Sequence, residues 1–545
     1  MLPKQPRSPR DPNKFPTVQL AVLAICRVAE PIALTSIFPY AYAMTIDFHV
    51  GDKNNASFYA GLLISAFALA EALTGMFWGG LSDRIGRKPV LLLGCAGTLL
   101  SLLVVGFASN IWIALLGRAL GGSLNGNIGV IQTMVGELVS KPEHEPRAYA
   151  VMPFVWSIGT IVGPAIGGTF ARPSETLPRI FSPDGLFAKF PYLLPNTICA
   201  AMLLVSIAAG YFLLEETHPD MQPWSSPADL DNTTAESPLI ATAGATNNAA
   251  ADLRAESYGT FNTVDVHEGE RWLVNSDGST RTASYSTQSR PKAFTPRVVA
   301  LVIALSIFTY HSMSYDHLLP VFLQDERVKD VTSFASSSFD VPGGLGLSTQ
   351  AVGLIMSVNG VIALFIQAIV FPLFADWLGV WKVFVFVTIF HPLAYFIVPY
   401  LAYLPDHWLY PGIYTCLTIR NFFSILAYPV ILILLKEASP APSVLGKING
   451  LAASAGAACR TVSPPVAGWL YGLGIRVGFT GIAWWASGIA ALIGTAQVFF
   501  VEREKHDNRV TVKSIAPCLV PTSEDSKQEA IHITVEEIDG ATTPA

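Results

Sequence analysis

Six ionisable side chains, Arg27, Glu30, Glu71, Arg118, Arg420 and Arg460, fall inside long apolar runs of this sequence. A charge in such a setting is costly, and those retained serve ion pathways, proton relays or charge compensation. At 1.5 Å per helical residue, Glu30 sits about 18 Å from one membrane face and Arg118 about 10 Å from the other, which brings them to similar depth. A carboxylate near a buried arginine can exchange a proton as access alternates, because burial favours its neutral form and the arginine its charged form. On this reading Glu30 carries the proton and Arg118 tunes it. A second pairing stays open, since Arg27 and Glu30 are three residues apart on one helix and can neutralise each other.

Further candidates line the same runs. Arg118, Gly122, Asn125, Gly129 and Gln132 recur at helical spacing within a sector of about 80°, a polar and small stripe that faces protein or water rather than lipid. Asn125 and Gln132 then either touch cargo or bond a neighbouring helix. Glu71, nearer the cytosolic side, either pairs with a loop cation or takes part in transport. Gly159, Gly163 and Gly167 repeat every four residues and allow close backbone approach, while Pro164 removes a hydrogen bond and bends the helix. No carboxylate is evident at mid-depth in the second half of the chain, so Arg420 and Arg460 read as contacts for a cargo of negative character. Asp316 and His317 fall near the outer end of their run, as a solvated terminus or an outer gate.

The elements that must position these residues are membrane helices. Of 545 residues, 51% are hydrophobic and 14% charged, with a mean hydropathy of +0.45 despite long polar stretches; globular chains carry about 25% charged residues. A water-soluble enzyme is excluded on this composition. A net charge of −6, with Lys and Arg scattered, excludes nucleic-acid binding. The six cysteines form no CxxC pair and read as small core residues, and neither a metal site nor a cofactor is expected. No P-loop, HExxH or GxSxG element is present, which removes support for ATP-driven pumping and the commoner hydrolytic chemistries.

Twelve apolar runs of about 20 residues are long enough to cross the bilayer: 18–44, 57–80, 90–108, 111–138, 147–171, 192–214, 297–324, 350–375, 380–402, 410–436, 446–472 and 479–502. The expected architecture is an all-α membrane protein of twelve transmembrane helices in two six-helix bundles. An N-terminal tail (1–17) precedes the first bundle (18–215). A Ser/Thr/Asn-rich linker (216–295), too polar to fold, leads to the second bundle (296–502) and a C-terminal tail (503–545). Arg84, Arg87, Lys88, Lys141, Arg147, Lys436 and Lys447 in short loops place both termini and the linker in the cytosol, whereas Arg172, Arg179 and Lys189 run against that rule. No cleaved signal peptide is expected. Asn55-Ala56-Ser57 is a glycosylation sequon in the first outer loop.

The halves echo each other. Asp83-Arg84-Ile85-Gly86 after the second run is matched by Asp376-Trp377-Leu378-Gly379 after the eighth, and Gly163-Pro164 in the fifth by Ser463-Pro464 in the eleventh. Such duplication marks secondary transporters whose cargo site lies between the repeats near the bilayer midplane.

Gly79-Gly80-Leu81-Ser82-Asp83-Arg84-Ile85-Gly86-Arg87-Lys88 resembles the cytoplasmic loop motif of the major facilitator superfamily, with Gly79, Asp83, Arg84, Gly86, Arg87 and Lys88 matching its positions. Gly117-Arg118 resembles the fourth-helix motif of that superfamily, and Gly159 to Gly168 resembles the fifth-helix motif of its drug:proton antiporters. Residues 26–44 and 58–90 are similar to fungal relatives of the plant zinc-induced facilitator-like carriers. The resemblance implies a loop latch that holds one face shut in one conformation. It also implies a proton-coupled carrier of a small organic molecule or xenobiotic, working outward by alternating access. Alternatives are a metal-chelate or ion facilitator, or a non-transporting receptor on the same fold. The partners expected are small-molecule cargo, protons and the lipid bilayer, with the chain a monomer in the plasma membrane rather than the vacuolar one.

Overall fold

The computed structural model describes residues 15–50, 52–139, 145–218, 272–274, 280–282, 294–327, 343–440 and 442–501. The apolar runs become helices because in hydrocarbon a helix satisfies its own backbone N–H and C=O groups. The first half contains α1 (Thr17–Thr35), α2 (Ala41–Asp47), α3 (Ala56–Ile85), α4 (Arg87–Gly106), α5 (Ile111–Leu124), α6 (Asn127–Leu138) and α7 (Glu145–Phe170). The short α8 (Pro173–Thr176) and α9 (Leu186–Lys189) and then α10 (Leu193–Leu213) complete it. The second half contains α11 (Pro296–Gln324), α12 (Thr349–Phe365), α13 (Phe371–Leu378), α14 (Val380–Phe390), α15 (Leu393–Ile397), α16 (Asp406–Glu437), α17 (Pro442–Val477) and α18 (Gly481–Val498). Polar side chains start several of them: Asn110, Thr295 and Ser348 accept from the N–H groups of Ile113, Val298 and Ala351 at 3.0, 3.2 and 3.3 Å, satisfying donors that the first turn leaves unpaired.

Among the described residues, nine helical runs are long and apolar enough to cross a membrane. The pair α5–α6, helix α7 and helix α17, which carries Arg460 and Pro464-Pro465, complete twelve crossings in two bundles of six. Four expected runs are not single regular helices. The first turns at Ser36–Tyr40, the eighth passes through a π-helix at Ile366–Val370, and the ninth ends in a 3-10 helix at Val398–Tyr403. The fourth breaks at Asn125-Gly126, where Asn125 is extended. Trp78 holds that break open: a Cβ on Gly126 would lie 2.2 Å from Trp78 Cβ, and Trp78 Nε1 donates to the Ser123 carbonyl at 2.7 Å. The indole thus repairs a carbonyl freed by the break.

The duplication seen in the sequence is a duplication of conformation. Gly86 joins α3 to α4 with φ 99° and ψ 161°, and Gly379 joins α13 to α14 with φ 76° and ψ 152°. Only glycine takes such a φ without strain. The proline pairs match as well: the Pro164 carbonyl of α7 backs onto Gly353 of α12, and the Pro464 carbonyl of α17 onto Gly61 of α3.

The expected linker begins later than position 216, because Glu216, Thr217 and His218 pack against the first bundle. Beyond them only β1 (Trp272–Val274) and β2 (Thr280–Thr282) are described, antiparallel with Trp272 opposite Thr282. The remainder of 219–293, both tails beyond residues 15 and 501, the side chains of Arg147 and Lys447, and Lys141 lie outside the described residues.

The core shows how the halves meet. At the end opposite the Gly79–Lys88 loop, one buried cluster draws Tyr40, Tyr42 and Leu63 from the first half together with Tyr315, Phe322, Tyr471 and Trp484 from the second. At the loop end each half keeps its own cluster, around Leu23, Val90 and Met134 in the first and Val298, Phe384 and Leu434 in the second. Helices α3 and α17 behave accordingly. At the far end a Cβ on Gly61, Gly468 or Gly472 would strike Pro464, Ser57 or Asn54 backbone within 2.5 Å, whereas at the loop end a Cβ on Gly75, Gly79, Gly80, Gly450 or Gly456 would meet nothing within 4 Å. The crevice between the halves is sealed at the far end and parted at the loop end.

Candidate functional site

Glu30 lies at the centre of the first half with its side chain 1% exposed. Arg27, one turn earlier on α1, bonds Glu30 Oε2 through Nη1, so the structure forms the local pair. Asn125 Nδ2 donates to Glu30 Oε1 at 2.9 Å and Asn127 Nδ2 donates to Oε2 at 2.9 Å. Both asparagines reach inward because the α5–α6 break releases them from helical phase. Gly94 makes the room, since a Cβ there would lie 2.1 Å from Asn127 Oδ1. Asn125 Nδ2 also donates to Glu71 Oε1 at 3.2 Å. One amide therefore spans two carboxylates on different helices, and Glu71 is tied to the cluster rather than to a loop cation.

Arg118 does not meet Glu30. Its Nε donates to the Leu63 carbonyl at 3.1 Å and its guanidinium lies 4.7 Å from the Phe67 ring centroid; Glu71 and Tyr40 are the ionisable groups within its electrostatic reach. The stripe expected from Arg118 to Gln132 is interrupted by the break, so Gln132 on α6 is exposed while Asn125 is buried. Arg460 is exposed on α17.

The second half holds its own pair. Arg420 Nη2 bonds Asp316 Oδ1 at 2.5 Å, with side chains 7% and 39% exposed. Asp316 stands eight residues before the end of α11, about 12 Å inside it. A carboxylate therefore does occupy the membrane interior of this half, and Arg420 is neutralised, which corrects its reading as a bare anion contact. Arg420 is also held by Ser312 Oγ at 3.1 Å, Asn421 Oδ1 at 3.2 Å and the Tyr315 ring at 4.8 Å. Asn421 in turn donates to Asn359 Oδ1 at 2.8 Å. His317 is buried against the Ser57 carbonyl at 3.1 Å, between the halves, rather than in a solvated terminus.

At the far end the halves are clasped by Asp325, which follows α11. Its Oδ1 accepts from Tyr42 of the first half at 3.3 Å and its Oδ2 from Tyr471 at 2.9 Å, while Gln324 Nε2 donates to the Pro39 carbonyl at 2.7 Å. A cavity of about 350 Å³ opens beside the clasp, bounded by Arg172, Glu175, Asp325 and Glu326. Arg172, which runs against the charge rule for loops, pairs with Asp47, and Tyr192 donates to the same carboxylate.

At the loop end Arg87 is buried between Asp83 at 2.5 Å, Glu137 at 3.0 Å and Ser82 Oγ at 2.7 Å. The N–H groups of Arg87 and Lys88, at the start of α4, donate to Glu216 at 2.9 and 3.1 Å, a carboxylate on a helix N-terminus. Lys88 Nζ donates to the Tyr211 and Leu214 carbonyls at the end of α10, and Thr217 Oγ1 donates to Glu137 at 2.7 Å. Arg84 is exposed. These bonds lie within the first half.

Gly159, Gly163 and Gly167 face α1 and the turn after it: a Cβ on each would strike Pro31, Thr35 or Ser36 at 2.3 Å or less. Gly168, one position on, faces the other half at Gly353. Asn55 ends a 3-10 turn with its Oδ1 accepting from Arg476 of α17 at 2.7 Å. Sequence reasoning missed Asn127, Glu137, Glu216 and Asp325 and misplaced Asp316. The signal available for the first was Asn125-Gly126-Asn127, an uncommon break in an apolar run.

Comparison with known proteins agrees with this geometry. The family model of the Major Facilitator Superfamily matches residues 23–440. A major facilitator superfamily multidrug transporter, mfsB of Aspergillus fumigatus, is 40% identical over 91% of this chain and 85% of its own. Protein zinc induced facilitator 1 of Arabidopsis thaliana is 28% identical over 89% of each chain. Among solved structures, the human organic anion transporter MFSD10 overlays with a TM-score of 0.52 at 17% identity, covering 88% of this chain and 99% of the other. With twelve membrane helices in two repeated bundles and the glycine of the loop motif, Gly86, matched by Gly379 in the second repeat, the chain belongs to the major facilitator superfamily and is a multi-pass membrane transporter, not an enzyme.

Proposed function

We propose that this protein is a proton-coupled exporter of small organic molecules or xenobiotics, working as a monomer by alternating access, with the loop end in the cytosol and the plasma membrane as its site. The observation that carries the reading is the Glu30–Asn125–Glu71 arrangement, two carboxylates on different helices bridged by one amide, with Glu30 buried and Glu71 half-buried beside it. Closely placed carboxylates in a desolvated setting exchange protons with their surroundings as access changes. Glu30 is the proton-carrying group. The tuning role expected of Arg118 falls on Glu71, which shares the Asn125 amide with Glu30. The multidrug transporter relative supports small organic cargo. The Asp83–Arg87–Glu137 network is the loop latch in its released position, confined to one half while the loop end is open.

The metal-chelate reading draws on the plant relative, and among the described residues no group of three His, Cys, Asp or Glu side chains is placed to hold the ion itself. The test is accumulation of ethidium and rhodamine dyes in cells expressing wild type or Glu30→Gln at matched membrane levels, with and without an uncoupler. Wild type lowers accumulation, and either perturbation abolishes the difference. Wild-type cells that accumulate every dye like the empty host would defeat the reading.

A further inference from the structure

The two buried ion pairs differ in their access to the crevice. Glu30 has both oxygens occupied, by Arg27, Asn125 and Asn127, and is sealed. Asp316 has its Oδ1 on Arg420, while its side chain as a whole is 39% exposed among otherwise buried neighbours. Arg420 is held on its remaining sides by Ser312, Asn421 and the face of Tyr315, and its buried Nε has no partner. The guanidinium is thus a fixed positive charge, and the carboxylate is the member of the pair that can change.

We propose that Asp316 is a second proton site, the one that exchanges with the crevice while the loop end is open, and that a positively charged cargo competes with its proton. The proposal deepens the exporter reading above and rests on it. The step is a single proton transfer: Asp316 Oδ2 takes a proton from a hydronium ion in the crevice, one hydronium O–H bond breaks as the Oδ2–H bond forms, water is left, and Oδ1 stays on Arg420. The pair then passes from neutral to a net charge of +1 facing the crevice. A cation sharing that space is repelled by the unit charge and released, while a neutral molecule is not. Proton loading and cation release are thereby one electrostatic event, as exchange requires.

The charged and titratable groups around the Asp316–Arg420 pair are Tyr315 and His311 on α11, Tyr395 on α15 and His391 in the turn before it, with Cys416 of α16 beside Tyr315. His311 Nδ1 and the Tyr395 hydroxyl bond each other at 2.6 Å, and Tyr395 and His391 pack edge and face with them. Arg420 is therefore the one permanently charged partner of the carboxylate in that group, which makes a charge change at Asp316 uncompensated locally.

The experiment uses purified full-length protein in two measurements. The first is a pH titration followed by infrared difference spectroscopy in wild type, Asp316→Asn, Glu30→Gln and Arg420→Lys. A protonated-carboxyl band lost in Asp316→Asn, retained in Glu30→Gln and shifted in midpoint by Arg420→Lys is expected; a set of titrating bands unchanged by Asp316→Asn overturns the proposal. This measurement needs no cargo, so its outcome is distinguishable from a failure of the exporter reading. The second is transport in proteoliposomes with ethidium as the cation. Asp316→Asn, which leaves Arg420 unneutralised and so fixes the pair at a net charge of +1, should lose at least tenfold of both downhill ethidium exchange and pH-gradient-driven accumulation. Asp316→Glu, which keeps the acid, should retain most of that accumulation and serves as the control for folding. Gradient-driven transport by Asp316→Asn within twofold of wild type overturns the proposal, whereas no ethidium movement by wild type counts against the exporter reading.

Discussion

The two halves carry the same inventory, one arginine and one carboxylate in a bilayer-buried ion pair, and treat it differently. In the first half both charges sit on α1, three residues apart, and two asparagines from a broken helix cap the carboxylate from the side. In the second half the charges come from α11 and α16, and no comparable break delivers amides to the open face of Asp316. Helix continuity therefore decides exposure. Where the chain breaks, as at Asn125-Gly126, side chains swing in to seal a charge; where it stays helical, the carboxylate keeps a face toward the crevice.

The most damaging way to probe that contrast is to remove one partner of each pair. Glu30→Gln keeps an amide oxygen for Asn125 or Asn127 but strands Arg27, and the loss of one partner of a buried pair costs about 3–5 kcal/mol. Asp316→Asn also strands a buried arginine, but its carboxylate is partly exposed and Arg420 keeps Ser312, Asn421 and the Tyr315 ring, so its cost should fall below that range. Thermal unfolding in detergent reads both, and Glu30→Gln combined with Arg27→Gln should recover part of the loss. Equal destabilisation by the two single substitutions would erase the distinction between a sealed and an open pair.

A smaller effect separates the two ends of the crevice. Gly61→Ala drives a methyl into the Pro464 backbone at the sealed end, a strain of about 1–3 kcal/mol, while Gly79→Ala at the parted end meets no atom within 4 Å. Cysteine labelling from the far side should rise in Gly61→Ala and stay at the wild-type level in Gly79→Ala. The smallest expected change is in the clasp: Tyr471→Phe removes one of the hydrogen bonds on Asp325, worth about 0.5–1.5 kcal/mol. It should raise far-side labelling by a few-fold, and unaltered labelling would mean that the apolar cluster alone holds that end shut.

Some of this was readable in the chain before any coordinate. Twelve runs, the six-plus-six division, the Asp-x-x-Gly repeat and the Gly159–Gly163–Gly167 ridge all depend on local features: length against bilayer thickness, one conformation that glycine tolerates, and spacing along one helix. The pairing of Arg27 with Glu30 was visible for the same reason, as one of two alternatives. Matching depths, by contrast, suggested Arg118 as a partner for Glu30, and depth says nothing about which way a side chain turns. Arg118 turns to the Leu63 carbonyl and Phe67, and its place near Glu30 is taken by Asn125 and Asn127.

What the sequence by itself determined is the set of elements and the cost of each charge within them, because hydrocarbon forces backbone hydrogen bonds inward and penalises every ion singly. What only the tertiary structure decided is partnership across helices: Asn125 between Glu30 and Glu71, Asp316 with Arg420, Glu216 on the start of α4, and Tyr42 and Tyr471 on Asp325. Those contacts join residues 54 to 283 positions apart, and distances of that kind are set by how helices pack and where they break, not by any pattern that one helix carries alone.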